Sequence, residues 1–220
     1  MAELILKEIY YRYPGTKNDV LKGVDAVFPA GTVTAVMGRS GAGKSTMLYL
    51  LSGLDVPTQG RILYNGQELK KSMLDGYRRT EVATIAQNYL LFPTRTALEN
   101  VLYPLELAKV EKNAALAEAK RHLESVGIVP ELHDRLPSKL SGGEQQRVAI
   151  ARALASHSNV IAADEPTGNL DEENADAVMA LLKKLAHEQG KTVIVVTHDR
   201  LLAEEADRFY RLRQGRIVEE

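Results

Sequence analysis

The chain has no cysteine among its 220 residues. That excludes a disulfide scaffold and any thiolate metal site, and it suits a reducing compartment. Charge of one sign is also missing: 28 Lys and Arg stand against 29 Asp and Glu, a formal net charge of -1. No bulk positive excess points to nucleic acid or to anionic lipid. Long hydrophobic runs are absent as well. Apolar runs such as Val193 to Val196 fall far short of the roughly 18 residues a membrane span needs. The opening stretch, Met1 to Lys7, carries an early acid and no long apolar segment, so no signal peptide is expected. Repeats, low-complexity tracts and flexible linkers are not found. The remainder, 45% hydrophobic and 26% charged, is ordinary for a globular chain. Its length fits one domain, or one core with a subdomain inserted into it.

Strand and helix textures alternate. Glu3 to Tyr13 alternates like an edge strand and is turned by Pro14-Gly15. Thr32 to Met37 is a near-continuous apolar strand, as expected for burial on both faces. A glycine-rich loop and a helix from Ser45 to Leu51 follow, the helix stopped by Gly53. Asn65-Gly66, between Arg61–Tyr64 and Gln67–Leu69, signals a hairpin. From about 96 to 156 the spacing is helical, with amphipathic helices over Ala114–Val126 and Glu144–Ala155. Strands return at Val160–Ala163 and Thr192–Thr197, around a helix from Asn174 to Gln189 closed by Gly190. Phe209–Leu212 and Arg216–Val218 form a closing hairpin. This order predicts an α/β fold with a parallel sheet and an inserted helical subdomain.

Three segments carry chemistry. Gly38-Arg39-Ser40-Gly41-Ala42-Gly43-Lys44-Ser45-Thr46 matches GxxxxGK[ST], placed after a buried strand and opening a helix. Its glycines let successive N–H groups curl around phosphate oxygens, and the helix N-terminus adds partial positive charge. Lys44 would reach the β- and γ-phosphates and the Ser45 hydroxyl would ligate Mg²⁺. Kinases, GTPases and helicases share this loop, but the Asn-Lys-x-Asp base-reading motif of GTPases is absent. The second segment, Asn159 to Glu165, is an apolar strand ending in two acids at the edge where open α/β sheets bind ligands. Asp164 would hold the Mg²⁺ water shell and Glu165 would act as general base; the alternative is an acidic pair leading a helix before Pro166. The third is Leu140-Ser141-Gly142-Gly143-Glu144-Gln145-Gln146-Arg147. It offers a hydroxyl and backbone N–H groups at a second helix N-terminus, and it also reads as a capping box of Ser141 with Glu144.

Taken together, GRSGAGKST, LSGGEQQR and the apolar strand ending in Asp164-Glu165 resemble the ABC ATPase family, in that family's order and spacing and over essentially the whole chain. The resemblance implies a P-loop NTPase (RecA-like) core with an antiparallel β subdomain and an α-helical signature subdomain. The core and β subdomain would take about 1–88 and 159–220, and the helical part about 89–158. It implies a head-to-tail dimer, in which Ser141, Gly142 and Gly143 contact the γ-phosphate of ATP held by the partner's phosphate loop. Further roles carry over singly. Tyr13, with Tyr11 as fallback, stacks on adenine; packing is the alternative for both. Gln87 touches Mg²⁺ and water, although Ala86 precedes it where an aromatic is usual. Asp171, in Gly168-Asn169-Leu170-Asp171, crosses the dimer interface, or else caps a helix. His198 holds the γ-phosphate and orients Glu165. His122, His133, His157 and His187 sit in no motif and are assigned to surface or packing. No metal-ligand cluster is expected beyond nucleotide-bound Mg²⁺.

Pro57-Thr58-Gln59-Gly60, Thr94 to Val101 and Asp164 to Asp171 resemble one bacterial subgroup of lipoprotein-release, macrolide-export, antimicrobial-peptide-resistance and cell-division ATPases. That implies an exporter or mechanotransmission complex. Its integral membrane, permease-like subunit lies on another chain, so the ATPase sits at the cytoplasmic face of the cell membrane. An ATPase driving a cell-wall hydrolase regulator without transport is the alternative. A soluble cassette acting on ribosomes or DNA would carry two cassettes or long insertions and an excess of positive charge, so no nucleic-acid partner is expected. The apolar stretch from Tyr89 to Pro93 reads as a docking surface for the membrane partner or as core of the helical part.

Overall fold

A computed structural model describes residues 3–168 and 170–218. The chain divides into two compact units, 1–84 with 159–165 and 182–220, and 85–158 with 166–181.

The first unit is built on two sheets. One has four strands in the order β2 (Leu21–Phe28), β1 (Leu4–Tyr11), β4 (Gln59–Tyr64), β5 (Gln67–Glu68), and the pairings of β1 with β2, β1 with β4 and β4 with β5 are antiparallel. Asn65 and Gly66 close the β4–β5 hairpin with φ of 52° and 76°, the two left-handed residues of a type I′ turn. The expected strand ends two residues early. Beyond Tyr11 the chain enters the turn in which Thr16 N–H donates to the Tyr13 carbonyl. Strand β2 lacks a clean sequence signal. Gly23 and Asp25 interrupt it where β1 bulges at Glu8, whose φ is 50° and whose N–H is taken by the Asp25 carboxylate at 2.9 Å.

The second sheet runs β10 (Arg216–Val218), β9 (Arg208–Arg213), β3 (Val33–Met37), β8 (Thr192–Thr197), β7 (Val160–Asp164), β6 (Val82–Ile85). Strand β3 pairs parallel with both β8 and β9, and β7 pairs parallel with β8. VTAVM, VIAAD and TVIVVT are buried almost throughout, as strands covered on both faces must be. Leu4, Leu6, Ile9 and Phe28 from the antiparallel sheet share one core with Met47, Leu50 and Leu51 of α1 (Lys44–Leu51) and with Val36, Ile194 and Val196. Helices α2 (Leu74–Thr80) and α7 (Arg200–Glu204) complete this unit.

The second unit packs α3 (Ala97–Leu107), α4 (Lys112–Ser125) and α5 (Gly142–Ala155) against one another. The start of α6 (Glu172–Gln189) also belongs to it. Small residues such as Ala115, Ala119, Ala149 and Ala153 are buried with Val101, Leu105, Leu123 and Ile150. Helices α3 and α5 each open on a complete capping box, Thr96 with Glu99 and Ser141 with Glu144. Asn100 is fully buried on α3 and fastens the preceding loop. Its Oδ1 accepts from Phe92 N–H at 2.8 Å, and its Nδ2 donates to the carbonyls of Phe92, Arg95 and Thr96. Among the described residues, no helix is long and apolar enough to cross a membrane.

Replacing Asn100 by Ala strands a buried N–H and several carbonyls. Urea unfolding should show a loss of about 1–3 kcal/mol. A loss within error of zero would mean that the loop does not depend on this side chain.

Candidate functional site

Parallel pairing brings the chemistry-bearing ends of three strands together. Met37 is in register with Thr197, and Asp164 with Val196. The residues that follow, Gly38, Glu165 and His198, therefore leave one edge of the sheet side by side. Gly38 N–H donates to the Thr197 carbonyl at 3.3 Å and Glu165 N–H to the Val196 carbonyl at 2.9 Å.

The loop from Gly38 to Gly43 requires glycine for two separate reasons. A Cβ at Gly38 would lie 2.6 Å from the Leu212 carbonyl oxygen, so only glycine fits beside β9. Gly43 has φ of 105° and directly precedes α1. Helix α1 has no side-chain cap and no acid in its first turn. Its first-turn N–H groups thus find neither cap nor acid on the helix itself, which is the condition an anion-binding helix N-terminus needs. Lys44 is almost fully buried and folds back over the loop. Its ammonium donates to the Gly38 carbonyl at 2.8 Å and lies 3.7 Å from Glu165 Oε1. Ser40 and Gly41 are exposed on the loop, and Thr46 is buried.

Ser45 lies beside Asp164 and favours its charged form. Burial pushes the Asp164 carboxyl above its usual range, and Ser45 and Lys44 oppose that push. A cation at this oxygen pair would remove the burial penalty on the carboxylate. The donors are hard oxygens, the set Mg²⁺ takes. The bare helix end, the glycine cradle, the lysine and this oxygen pair together fit ATP with Mg²⁺.

Glu165 is held from several sides. Its Oε2 accepts from Thr197 Oγ1 and from His198 N–H, both at 3.2 Å, and lies 2.9 Å from His198 Nδ1. Its side chain is mostly buried, whereas the His198 ring is largely exposed. Glu165 also carries φ of 46° directly before Pro166, a left-handed conformation that costs a non-glycine residue roughly 1–3 kcal/mol. Thr197 is the member of this group that the sequence does not announce, because its hydroxyl sits inside an otherwise apolar strand end.

Tyr13 and Tyr11 part company in the structure. Tyr11 is buried with its hydroxyl 2.5 Å from Asp55 Oδ2, while Tyr13 exposes its ring and shares a hydrogen bond with Thr46 Oγ1 at 2.9 Å. The two rings meet edge to face. The flat face beside the loop therefore belongs to Tyr13.

The second unit holds the remaining candidates. Ser141 Oγ accepts from Glu144 N–H at 3.2 Å, and the Glu144 carboxylate accepts from Ser141 N–H at 2.7 Å. The Ser141 hydroxyl proton is not used by the cap. Gly142 and Gly143 form the first turn of α5, where the amides have no carbonyl one turn back. A Cβ at Gly143 would lie 3.0 Å from Asn174 Oδ1, the atom to which Arg147 donates at 2.6 Å. Asn174 in turn donates to both oxygens of Asp171, through its Nδ2 and its backbone N–H. These bonds, the backbone one foremost, hold the Asp171 carboxyl below its usual range. Asp171 thus caps α6 and is tied through Asn174 to the signature helix. No motif pointed to Asn174. Asn169 lies outside the described residues. Gln87 is exposed in the loop after β6.

The histidines differ in setting. His133 is buried against the Ile128 carbonyl and His187 pairs with Asp207. His122 and His157, both assigned from sequence to surface or packing, converge on Glu118. Their potential ligand atoms and that of Glu118 lie within 4.8 Å of one another, a grouping the sequence does not show. The trio is invisible in sequence because two helices supply it.

Comparison with known proteins agrees with this geometry. The family described as ABC transporter matches residues 21–168. The lipoprotein-releasing system ATP-binding protein LolD of Syntrophotalea carbinolica is 44% identical over 208 residues, covering 93% of this chain and 91% of that protein. An uncharacterized ABC transporter ATP-binding protein of Mycobacterium tuberculosis is 42% identical over 211 residues, 94% of this chain and 85% of its own length. Among solved structures, the bacterial ABC transporter cassette MJ0796, described as dimeric in a post-hydrolysis state with ADP and Pi, superposes with a TM-score of 0.90 at 37% identity, over 98% of this chain and 97% of that one. The Clostridium perfringens protein cbiO1, part of the ABC transporter complex cbiONQ, gives 0.88 at 28% identity, over 98% of this chain and 86% of that one. With the phosphate loop, the acidic strand end and the capped signature helix all in place, the chain belongs to the ABC transporter family, as one of its ATP-hydrolysing cassettes.

Proposed function

We propose that this cassette works as a head-to-tail homodimer, with each ATP held between the phosphate loop of one subunit and Ser141-Gly142-Gly143 of the other. The dimer drives an integral membrane protein on a separate chain at the cytoplasmic face of the membrane. The observation that carries the reading is the convergence of Lys44, Asp164, Glu165 and His198 at one sheet edge.

In this reading the loop amides from Gly38, Ser40, Gly41 and Gly43 and the Lys44 ammonium bind phosphate oxygens, with Thr46 in the same turn. Ser45 and Asp164 would hold Mg²⁺. Mg²⁺ supplies charge neutralisation on the phosphates. Glu165, released from Lys44 once phosphate takes the ammonium, accepts a proton from the water as its oxygen bonds to the γ-phosphorus and ADP leaves with the bridging oxygen, and His198 fixes its carboxylate. Tyr13 stacks on adenine. Asp171 lies at the subunit boundary, positioned by Asn174.

The membrane partner is supported by the exposed stretch after Gln87. Leu90 is 67% exposed, Tyr89 and Leu90 have φ of 59° and 47°, and Arg152 donates to both their carbonyls. Phe92 is only half-buried, between Tyr103, Arg95 and Arg152. Likeness to a lipoprotein-releasing relative supports an exporter or mechanotransmission complex over a regulator of cell-wall hydrolysis.

Glu165→Gln removes the general base without changing shape. Steady-state ATPase should fall by about 10²–10⁴, and gel filtration with ATP-Mg²⁺ should show an accumulated dimer. Unchanged turnover sinks the assignment. Tagged Glu165→Gln should also retain a polytopic membrane protein from solubilised membranes; recovery of ribosomes or DNA-repair proteins overturns the membrane reading.

Ser141→Arg placed in the Glu165→Gln background should abolish the ATP-dependent dimer while the monomer keeps its affinity for a fluorescent ATP analogue. Lost monomer affinity with an intact dimer would place Ser141 on its own subunit's nucleotide.

Tyr13→Ala should weaken nucleotide binding by roughly 5- to 150-fold, the equivalent of 1–3 kcal/mol of stacking, and Tyr13→Phe should bind almost normally. Equal affinity in the Ala variant would remove the ring from the adenine site.

A further inference from the structure

The helical unit contains a cluster that the nucleotide chemistry does not use. Glu118 and His122 stand one turn apart on the same face of α4, the i, i+4 spacing that lets two side chains share a ligand. His157 follows the last turn of α5 and has φ of 55°. That left-handed residue swings its ring back across α4 to Glu118. His122 Nε2 lies 3.3 Å, and His157 Nε2 2.5 Å, from the same oxygen of Glu118. The three potential ligand atoms all fall within 4.8 Å of one another, the one such trio among the described residues.

We propose that Glu118, His122 and His157 form a binding site for a first-row divalent metal ion of the Zn²⁺ class, with water completing the coordination. Two imidazoles and one carboxylate are a donor set zinc takes readily, with the fourth position left to solvent. At bond lengths near 2.0–2.2 Å, tetrahedral ligand atoms stand about 3.3–3.5 Å apart. The His122–Glu118 edge already has that length. The other edges reach it by a small swing of His157, whose ring is mostly exposed and free to turn.

The competing cation is Arg121, 4.0 Å from Glu118 and exposed enough to move aside. An ion here would clip α4 to the C-terminal end of α5, the helix that begins at Ser141. The site does not depend on the head-to-tail reading and is tested without nucleotide.

Tag-free protein stripped with chelator is titrated with Zn²⁺ alone by calorimetry, and its melting is followed with and without the ion. The expected result is one site per chain, tighter than about 100 µM, with a rise in Tm on loading. His157→Gln and His122→Gln should each weaken binding at least tenfold and abolish the Tm rise. His157 is exposed, so its variant keeps the fold, as circular dichroism would verify. His187→Gln and His198→Gln should retain the site. The proposal is overturned by no binding up to that concentration, by unaltered affinity in His122→Gln and His157→Gln, or by loss of the site in the His187 or His198 variants instead.

Discussion

Strand β8 is hydrogen-bonded on one side to β3 and on the other to β7, and the rest of the nucleotide edge depends on that double pairing. Parallel register leaves no freedom in where each strand stops relative to its neighbours. The phosphate loop precedes the acidic pair and the histidine by more than a hundred residues along the chain, yet each comes at the end of a buried strand or directly after it. Apolar burial on both faces fixes the strands, and their polar successors emerge together as a result. A slip of β8 by one residue would turn Thr197 and His198 away from Glu165.

The basic and acidic members of the edge pair with one another. Lys44 rests between the Gly38 carbonyl and Glu165, and Glu165 leans on Thr197 and His198. A phosphate group would compete for both Lys44 and His198, so its arrival reassigns partners of Glu165 rather than filling a passive hole. The helical unit has a comparable economy. The Ser141 cap completes α5 through Glu144, and the Arg147–Asn174–Asp171 chain sets the start of α6 against it. Groups that stabilise helix ends are the same ones that present donors and carboxylates outward.

Much of this architecture could be read from residues whose physics is local. Asn65-Gly66 specified its hairpin, and the apolar runs at Val33, Val160 and Thr192 specified buried strands. The phosphate loop, the acidic pair and the Ser141 box were legible because each is a contiguous segment. Features built by tertiary encounter were not. Strand β2 was obscured by Gly23 and Asp25, whose purpose appears only opposite the Glu8 bulge. Tyr11 and Tyr13 share strand parity in the sequence, and only the end of β1 at Tyr11 separates the buried ring from the exposed one. Asn174 reads in sequence only as the first residue of a helix. The Glu118 trio needed the packing of α4 on α5 to exist at all, since one helix supplies two of its members and the other helix end supplies the third.

The left-handed backbone at Glu165 has a consequence for how this chain tolerates change. The conformation is one that glycine adopts without strain, and the following proline closes off the easy routes of relaxation. Glycine at this position would relieve the local strain, a gain of about 1 kcal/mol, and would leave the sheet edge without its carboxylate. The same change would strip the buried Lys44 ammonium, Thr197 and His198 of their partner, so backbone and side chain pull in opposite directions at this residue.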